Sequence, residues 1–118
     1  PRGHAIECRI NAEHPRTFTP SPGRLKVFRS PGGPGVRVDS HAYAGYRVPP
    51  FYDSLLAKVI GFGADREEAL ARVRRAVDDF EIEGIDTTLD LHRRILRDPR
   101  FVAGDVSTRF MEEFLLEP

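Results

Sequence analysis

The chain has 118 residues, which is enough for one domain and too few for two of ordinary size. Hydrophobic residues make up 40% of the chain and charged residues 31%, a balance that favours a globular fold over a disordered tail. The 18 Lys and Arg residues equal the 18 Asp and Glu residues, so the chain lacks the basic surplus typical of nucleic-acid-binding proteins.

Membrane and disulfide-based classes are also disfavoured. No apolar run approaches the roughly 20 residues of a membrane-spanning helix, and no signal-peptide core follows Pro1. Cys8 is the single cysteine, so an internal disulfide and a cysteine-based zinc site are both excluded, which favours a reducing, cytoplasmic-type compartment. The chain does not begin with Met, and we therefore expect it to be part of a longer polypeptide.

The first predicted element is a strand. Apolar and polar residues alternate from His4 to Asn11, which is the period of a half-buried strand. The apolar set is Ile6, Cys8 and Ile10, and the polar set is Glu7, Arg9 and Asn11. This alternation places the Arg9 guanidinium on a polar face, between a carboxylate and an amide.

Further extended segments follow. Proline and glycine indicate an ordered loop over residues 14–23 and a turn over residues 31–35. Strands are predicted at residues 24–30, 36–40, 43–48 and 55–62. Pro49 and Pro50 end the third of these, because neither can donate to a ladder. The last strand is the most apolar, so we expect it to be the most central.

Helical spacing begins after residue 64. Asp65 and Glu68 have the spacing of a capping box. The apolar stripe of this first helix is Leu70, Val73, Val77 and Phe80, and residues 83–85 break the pattern.

Two further helices are predicted. One covers residues 87–97, is capped by Asp86 or Thr87, and ends at Asp98-Pro99. A third is capped by Ser107, with its buried stripe formed by Phe110, Met111, Phe114 and Leu115. The order of elements predicts one α+β domain, an antiparallel β-sheet of about five strands followed by about three helices packed on it.

Most polar residues give weak functional signals. The four histidines have no metal-ligand spacing, and His92 is interpreted as structural because it lies among Leu89, Ile95 and Leu96. Residues 40, 41, 53 and 54 supply the residue types of a Ser-His-Asp hydrolase triad, but the sequence has no nucleophile elbow.

Two segments give stronger functional signals. In the segment from Glu7 to Glu13, acceptors beside Arg9 suit the recognition of an oxyanion or a developing enolate, although spacing alone favours a surface salt-bridge ladder. In the segment from Val48 to Ser54, two prolines precede an aromatic pair and Asp53, as in a rigid turn or a site-supporting loop.

The same two segments carry a family resemblance. Gly3-His4-Ala5-Ile6-Glu7-Cys8-Arg9-Ile10-Asn11-Ala12-Glu13 resembles the start of the C-terminal domain of biotin carboxylases. Five further motifs agree in order and spacing: Pro20-Ser21-Pro22-Gly23, Pro31-Gly32-Gly33, Ser40-His41, Tyr43-Ala44-Gly45-Tyr46 and Val48-Pro49-Pro50-Phe51-Tyr52-Asp53-Ser54. The resemblance extends through Gly84-Ile85 and Thr87, and so covers almost all of residues 1–118.

The resemblance implies an ATP-dependent ligase. Biotin carboxylases use ATP, Mg²⁺ and bicarbonate to carboxylate the ureido nitrogen of biotin on a carrier protein. They act in acetyl-CoA carboxylase, which serves fatty acid biosynthesis, and in propionyl-CoA, methylcrotonyl-CoA and pyruvate carboxylases. The implied partners are the preceding N-terminal and ATP-grasp domains, the biotin carboxyl carrier protein and the carboxyltransferase. The isolated fragment is expected to be inactive, with no cofactor or metal site of its own. The implied location is cytoplasmic, or mitochondrial for a eukaryotic carboxylase.

The resemblance also implies residue roles. Arg9 matches the arginine that contacts bicarbonate and the biotin ureido oxygen, and that stabilises the ureido anion. Asp53 is implied as a supporting residue, and we expect Glu7 and Asn11 to support Arg9 as its neighbours. Arg37 and Asp79 match an arginine–carboxylate pair at the interface of a homodimer. The alternative is a purely structural or oligomerisation domain, in which Arg9 is only a salt-bridge partner.

Overall fold

The computed structural model describes residues 3–50 and 53–104. Within these ranges the fold is α+β, as predicted, with antiparallel strands and three helices. The strands are β1 His4–Asn11, β2 Gly23–Arg24, β3 Val27–Arg29, β4 Val36–Ser40, β5 Arg47–Val48, β6 Leu55–Gly63 and β7 Glu81–Glu83. The helices are α1 Arg66–Asp79, α2 Leu89–Ile95 and α3 Pro99–Val102. None of the helices in the described ranges is long and apolar enough to cross a membrane.

The main sheet has three strands in the order β1-β6-β4, all antiparallel. The prediction that the most apolar strand is central is therefore confirmed, because β6 pairs on both of its edges. The remaining strands form two separate two-stranded ladders, β2 with β5 and β3 with β7. The sequence predicted one sheet, and the structure divides the strands among three.

The predicted strand over residues 24–30 is wrong as a single element. The backbone N–H of Leu25 donates to Tyr46 O at 2.9 Å, whereas that of Lys26 donates to Glu83 O at 2.8 Å. Because successive N–H groups have partners in different ladders, the segment divides into β2 and β3. The partner of β3 is β7, a strand that the sequence did not predict and that lies between α1 and the break indicated at residues 83–85. The extended segment predicted over residues 43–48 is reduced to β5.

Helix α1 covers one face of the main sheet. Asp65 accepts a hydrogen bond from the N–H of Glu68 at 2.8 Å, and the Glu68 carboxylate accepts one from the N–H of Ala64 at 2.9 Å. The reciprocal cap therefore forms, with the glutamate reaching one residue further back than in the standard capping box. The predicted stripe is buried, and it forms one core with the apolar residues of β1 and β6: Cys8, Ile10, Ala57, Val59, Leu70, Val73, Val77 and Phe80.

Helix α2 is shorter than the predicted range of residues 87–97, and α3 was not predicted. Helix α2 follows Thr88 and stops before Asp98, which caps α3 by accepting from the N–H of Arg100 at 2.9 Å. Pro99 therefore ends one helix and occupies the first turn of the next, where its missing N–H is tolerated. The helix predicted after Ser107 lies outside the described residues.

Candidate functional site

The polar side chains of β1 lie on the face of the main sheet opposite α1. Glu7 and Arg9 are exposed and Asn11 is half-buried, whereas Cys8 and Ile10 are buried in the core. The alternation inferred from the sequence therefore matches the structure. Within residues 3–50 and 53–104, the Arg9 guanidinium has neither an ion-pair nor a hydrogen-bond partner.

A second cation lies directly across from Arg9. Lys58 of β6 is its cross-strand partner, and Asp39 of β4 is the cross-strand partner of Lys58. Opposed residues in an antiparallel sheet project from the same face, with Cβ atoms roughly 5 Å apart. The Asp39 carboxylate is occupied by Arg37, whose Nε lies 2.9 Å from its Oδ1. Arg9 and Lys58 therefore place two positive charges side by side on this face.

The free edge of β1 is covered by α2. A cavity of about 380 Å³ lies between them, lined on the β1 side by Glu7, Arg9 and Asn11 and on the α2 side by residues that include Thr88 and His92. Nε2 of His92 lies 2.8 Å from the carbonyl oxygen of Arg9. Burial lowers the pKa of His92, an effect that the hydrogen bond to Arg9 partly opposes. Burial therefore favours the neutral form of the His92 imidazole.

The predicted supporting residues lie near β1 without contacting the guanidinium of Arg9. Glu7 and Asn11 lie on the same face of β1 as Arg9, but in the described ranges neither side chain forms a hydrogen bond or an ion pair with the guanidinium. Asp53 precedes β6, and its Oδ1 accepts a hydrogen bond from the N–H of Leu55 at 3.0 Å. The adjacent Ser54 donates to Glu13 at 2.9 Å. The supporting roles of Glu7, Asn11 and Asp53 stay predictions.

The two residues predicted at a dimer interface are both exposed. Arg37 lies on β4, the edge strand opposite β1, with 65% of its side chain exposed and Asp39 as its partner within the chain. Asp79 is the last residue of α1. Both side chains are thus accessible to a second protomer, and their pairing stays a prediction.

The residue types of a hydrolase triad are present but have other partners. Ser40 donates to Leu56 O at 2.5 Å, and the His41 ring packs edge-on against Tyr46. Ser54 donates to Glu13, so within the described residues no serine has the histidine base that nucleophilic catalysis requires. Burial, assisted by the charge of Glu7, raises the pKa of the Cys8 thiol to about 12, so this thiol is not a nucleophile at neutral pH.

Sequence reasoning missed the contacts of Thr88 and His92 with β1. The two residues are four apart and follow one face of α2, which is a signal that the sequence contains. Which strand edge this face of α2 contacts cannot be predicted from the sequence, because the contact depends on tertiary packing.

A known protein family matches almost the whole chain, including the segments that carry the candidate site. The profile of the family described as "Biotin carboxylase C-terminal domain" matches residues 7–113. The biotin carboxylase of Pseudomonas aeruginosa is 59% identical over 114 residues, which is 97% of this chain and 25% of the relative. Biotin carboxylase 1 of Bacillus subtilis is 55% identical over 113 residues, which is 95% of this chain and 25% of the relative. The chain thus spans about a quarter of the length of the curated relatives it matches.

Solved structures agree with the fold. The biotin carboxylase domain dimer of Hydrogenobacter thermophilus 2-oxoglutarate carboxylase, in complex with MgADP, ADP and bicarbonate, superposes with a TM-score of 0.93. That chain is 40% identical, and the match covers 99% of this chain and 27% of the other. Campylobacter jejuni biotin carboxylase, in a β,γ-ATP complex, gives a TM-score of 0.90 at 40% identity, over 95% of this chain and 25% of the other.

Proposed function

The chain belongs to the biotin carboxylase C-terminal domain family, and from this premise we propose that it completes the active site of a biotin-dependent carboxylase by supplying Arg9. The reaction of the whole enzyme is the ATP- and bicarbonate-dependent carboxylation of biotin on a carrier protein. The bicarbonate and MgADP bound in the 2-oxoglutarate carboxylase relative support this substrate set.

One observation carries the proposal. The Arg9 guanidinium has no partner in the described part of the chain, and its cross-strand neighbour is Lys58. Like charges directly opposite each other on adjacent strands are destabilising. A pair of this kind, on a face that α1 does not cover, suits an anionic ligand. A surface salt-bridge ladder would instead have paired Arg9 with Glu7 or Glu13, and this pairing is not formed within the described residues.

The proposed role of Arg9 follows from the place at which negative charge forms during the reaction. Loss of the proton from the ureido nitrogen of biotin moves negative charge to the ureido oxygen. A guanidinium already held at that oxygen stabilises this anion more than the neutral ring, and this difference lowers the barrier. Its planar fork also matches the oxygens of bicarbonate. Glu7, Asn11 and Asp53 support the arginine in the assembled site.

ATP and Mg²⁺ are assigned to other domains of the enzyme. Within the described residues, no group of three or more His, Cys, Asp and Glu side chains could hold a metal ion. Because the nucleotide-binding part is proposed to lie in other domains, we expect the polypeptide of residues 1–118 to show no bicarbonate-dependent ATP hydrolysis. ADP release above a buffer blank, from rigorously purified polypeptide, would contradict this assignment.

The proposed partners are those of a multicomponent carboxylase. They are the preceding N-terminal and ATP-grasp domains, the biotin carboxyl carrier protein or domain, the carboxyltransferase component, and a second copy of the enzyme. A cytoplasmic location is proposed with them. The choice of acetyl-CoA, with its place in fatty acid biosynthesis, or of another acceptor belongs to the carboxyltransferase.

We expect Arg37→Glu to weaken a homodimer of the full-length enzyme. Arg37 of one protomer is proposed to face Asp79 of the other. Because a two-fold axis repeats this contact, one substitution removes two ion pairs from the interface. The dissociation constant should rise about tenfold or more, since the change also places like charges together. Sedimentation equilibrium measures it.

Two variants control this experiment. Asp39→Asn removes only the partner of Arg37 within the chain. Arg29→Glu changes another exposed arginine, which pairs with Glu81 at 2.7 Å on a different ladder. Neither should alter the dimer. Dimerisation of Arg37→Glu with the wild-type constant would remove this pair from the interface.

A further inference from the structure

The pairing of β1 with β6 is irregular one residue beyond Arg9. The register with β6 shifts between Ile10 and Asn11: Ile10 faces Ala57, Asn11 faces Leu55, and Leu56 is left as an extra residue. A β-bulge of this kind interrupts the ladder and bends β6, the strand that carries the extra residue. Pairing with β6 therefore specifies the main chain around Arg9 less firmly than it specifies the start of β1.

Helix α2 contacts β1 at this point, from the opposite edge. The Thr88 hydroxyl accepts a hydrogen bond from the N–H of Asn11 at 2.9 Å, and the N–H of Thr88 donates to the carbonyl of Asn11 at 3.0 Å. His92, one turn later, lies 2.8 Å from the carbonyl oxygen of Arg9. A carbonyl oxygen can only accept, so Nε2 of His92 carries the proton of this bond.

The Thr88 side chain makes these contacts and does not cap its own helix. It holds the N-cap position of α2, where a threonine side chain normally accepts from an N–H of its own first turn. No such cap bond forms. Thr88 is instead the one buried polar residue within residues 3–50 and 53–104, with 3% of its surface exposed, and its hydroxyl is directed at β1. The N–H of Leu89 donates instead to the hydroxyl of Thr87 at 3.3 Å, which leaves the Thr88 hydroxyl for the strand.

We propose that Thr88 and His92 are positioning residues for the carboxylation reaction, fixing the main chain of Arg9 and Asn11 from the free edge of β1 so that the guanidinium projects at one angle. This inference rests on the proposed function of Arg9. A side chain as long as that of arginine magnifies a small rotation of its backbone into a displacement of its nitrogen atoms. Misplacement by about 1 Å can lower a rate by two orders of magnitude.

Each residue has a matched pair of variants in the full-length enzyme. Thr88→Val keeps the shape and removes the hydroxyl, whereas Thr88→Ser keeps the hydroxyl. The amide nitrogen of His92→Gln reaches the place of Nε2, whereas that of His92→Asn reaches only the place of Nδ1. We expect Thr88→Val and His92→Asn to lower kcat about tenfold, with KM for ATP unchanged, and Thr88→Ser and His92→Gln to recover most of it.

A double mutant separates positioning from general destabilisation. If Thr88 acts through Arg9, then Thr88→Val should lower kcat no further in an Arg9→Ala enzyme, because coupled residues are not additive. Asp65→Ala is the control for stability. It removes the α1 cap, a comparable hydrogen bond remote from Arg9, and should lower the thermal midpoint without changing kcat.

The outcomes are distinguishable. If Arg9→Ala lowers kcat while Thr88→Val and His92→Asn do not, or if their losses add to that of Arg9→Ala, the positioning role is overturned and the function of Arg9 stands. If Arg9→Ala itself has near-normal kcat, the proposed function fails and the positioning role fails with it. Since His92 is half-exposed at the rim of the cavity, its variants test the inference even if Thr88→Val does not fold.

Discussion

Replacement of Arg9 by alanine in the full-length enzyme is expected to lower kcat for biotin-dependent ATP turnover about a hundredfold, which corresponds to about 3 kcal/mol. This is the typical effect of removing one donor from a preorganised oxyanion site. Because the guanidinium interacts more strongly with the ureido anion than with neutral biotin, the loss should appear in kcat and not only in KM.

Two further measurements sharpen the result. Arg9→Lys should recover part of the rate, since an ammonium keeps the positive charge beside Lys58 but loses the planar fork. KM for ATP should change little, because the nucleotide is assigned to another domain. Arg29→Ala is the matched control, an exposed arginine whose partner Glu81 lies on a separate ladder, and its kcat should be that of the wild type.

One outcome would reverse the assignment. A folded Arg9→Ala enzyme with near-normal kcat would mean that Arg9 is not catalytic and that the site assignment is wrong. The chain would then be an oligomerisation and support domain of the same enzyme, which is the alternative that the sequence left open.

Elements with a strong local pattern could be predicted from the sequence. The strict alternation from His4 to Asn11 predicted β1 at its observed bounds and placed Arg9 on the polar face. Strand β4 was also predicted at its observed bounds, and the cap formed by Asp65 and Glu68 was predicted with its helix. In each case the burial period or a capping side chain acts within a few residues, so the information is local.

Elements that depend on a distant partner could not be predicted. Residues 24–30 divide into two strands because Leu25 and Lys26 bond to segments more than 20 residues and more than 50 residues away, respectively. The same limit applies to the site. Arg9 was found from its neighbours and from the family resemblance, whereas the bonds from Thr88 and His92 join residues about 80 positions apart. No local pattern encodes such a pairing.

The packing of α1 on β6 leads to a large expected effect on stability. Gly61 lies in the middle of β6, and a Cβ atom built there would fall 2.7 Å from the N of Val73 and 2.8 Å from the O of Ala69. Both are backbone atoms of α1, which cannot move aside as a flexible side chain can. The glycine is therefore required by the closeness of helix and strand and not by its backbone conformation.

Gly61→Ala is expected to destabilise the contact between α1 and β6 by about 2–3 kcal/mol, the upper part of the usual range for an added group in a filled core, because the atoms it meets are backbone atoms. Hydrogen–deuterium exchange of the full-length enzyme, followed on peptides from α1 and β6, measures this locally, and the exchange rates should rise on the order of a hundredfold. Gly32→Ala is the matched control, because a Cβ at Gly32 has no heavy atom within 4 Å. If both variants exchange at the wild-type rate, the helix does not lie on the strand as closely as the structure places it. If only Gly61→Ala exchanges faster, the same packing that buries Cys8 and Ile10 beneath α1 is what directs Arg9 to the opposite face of the sheet.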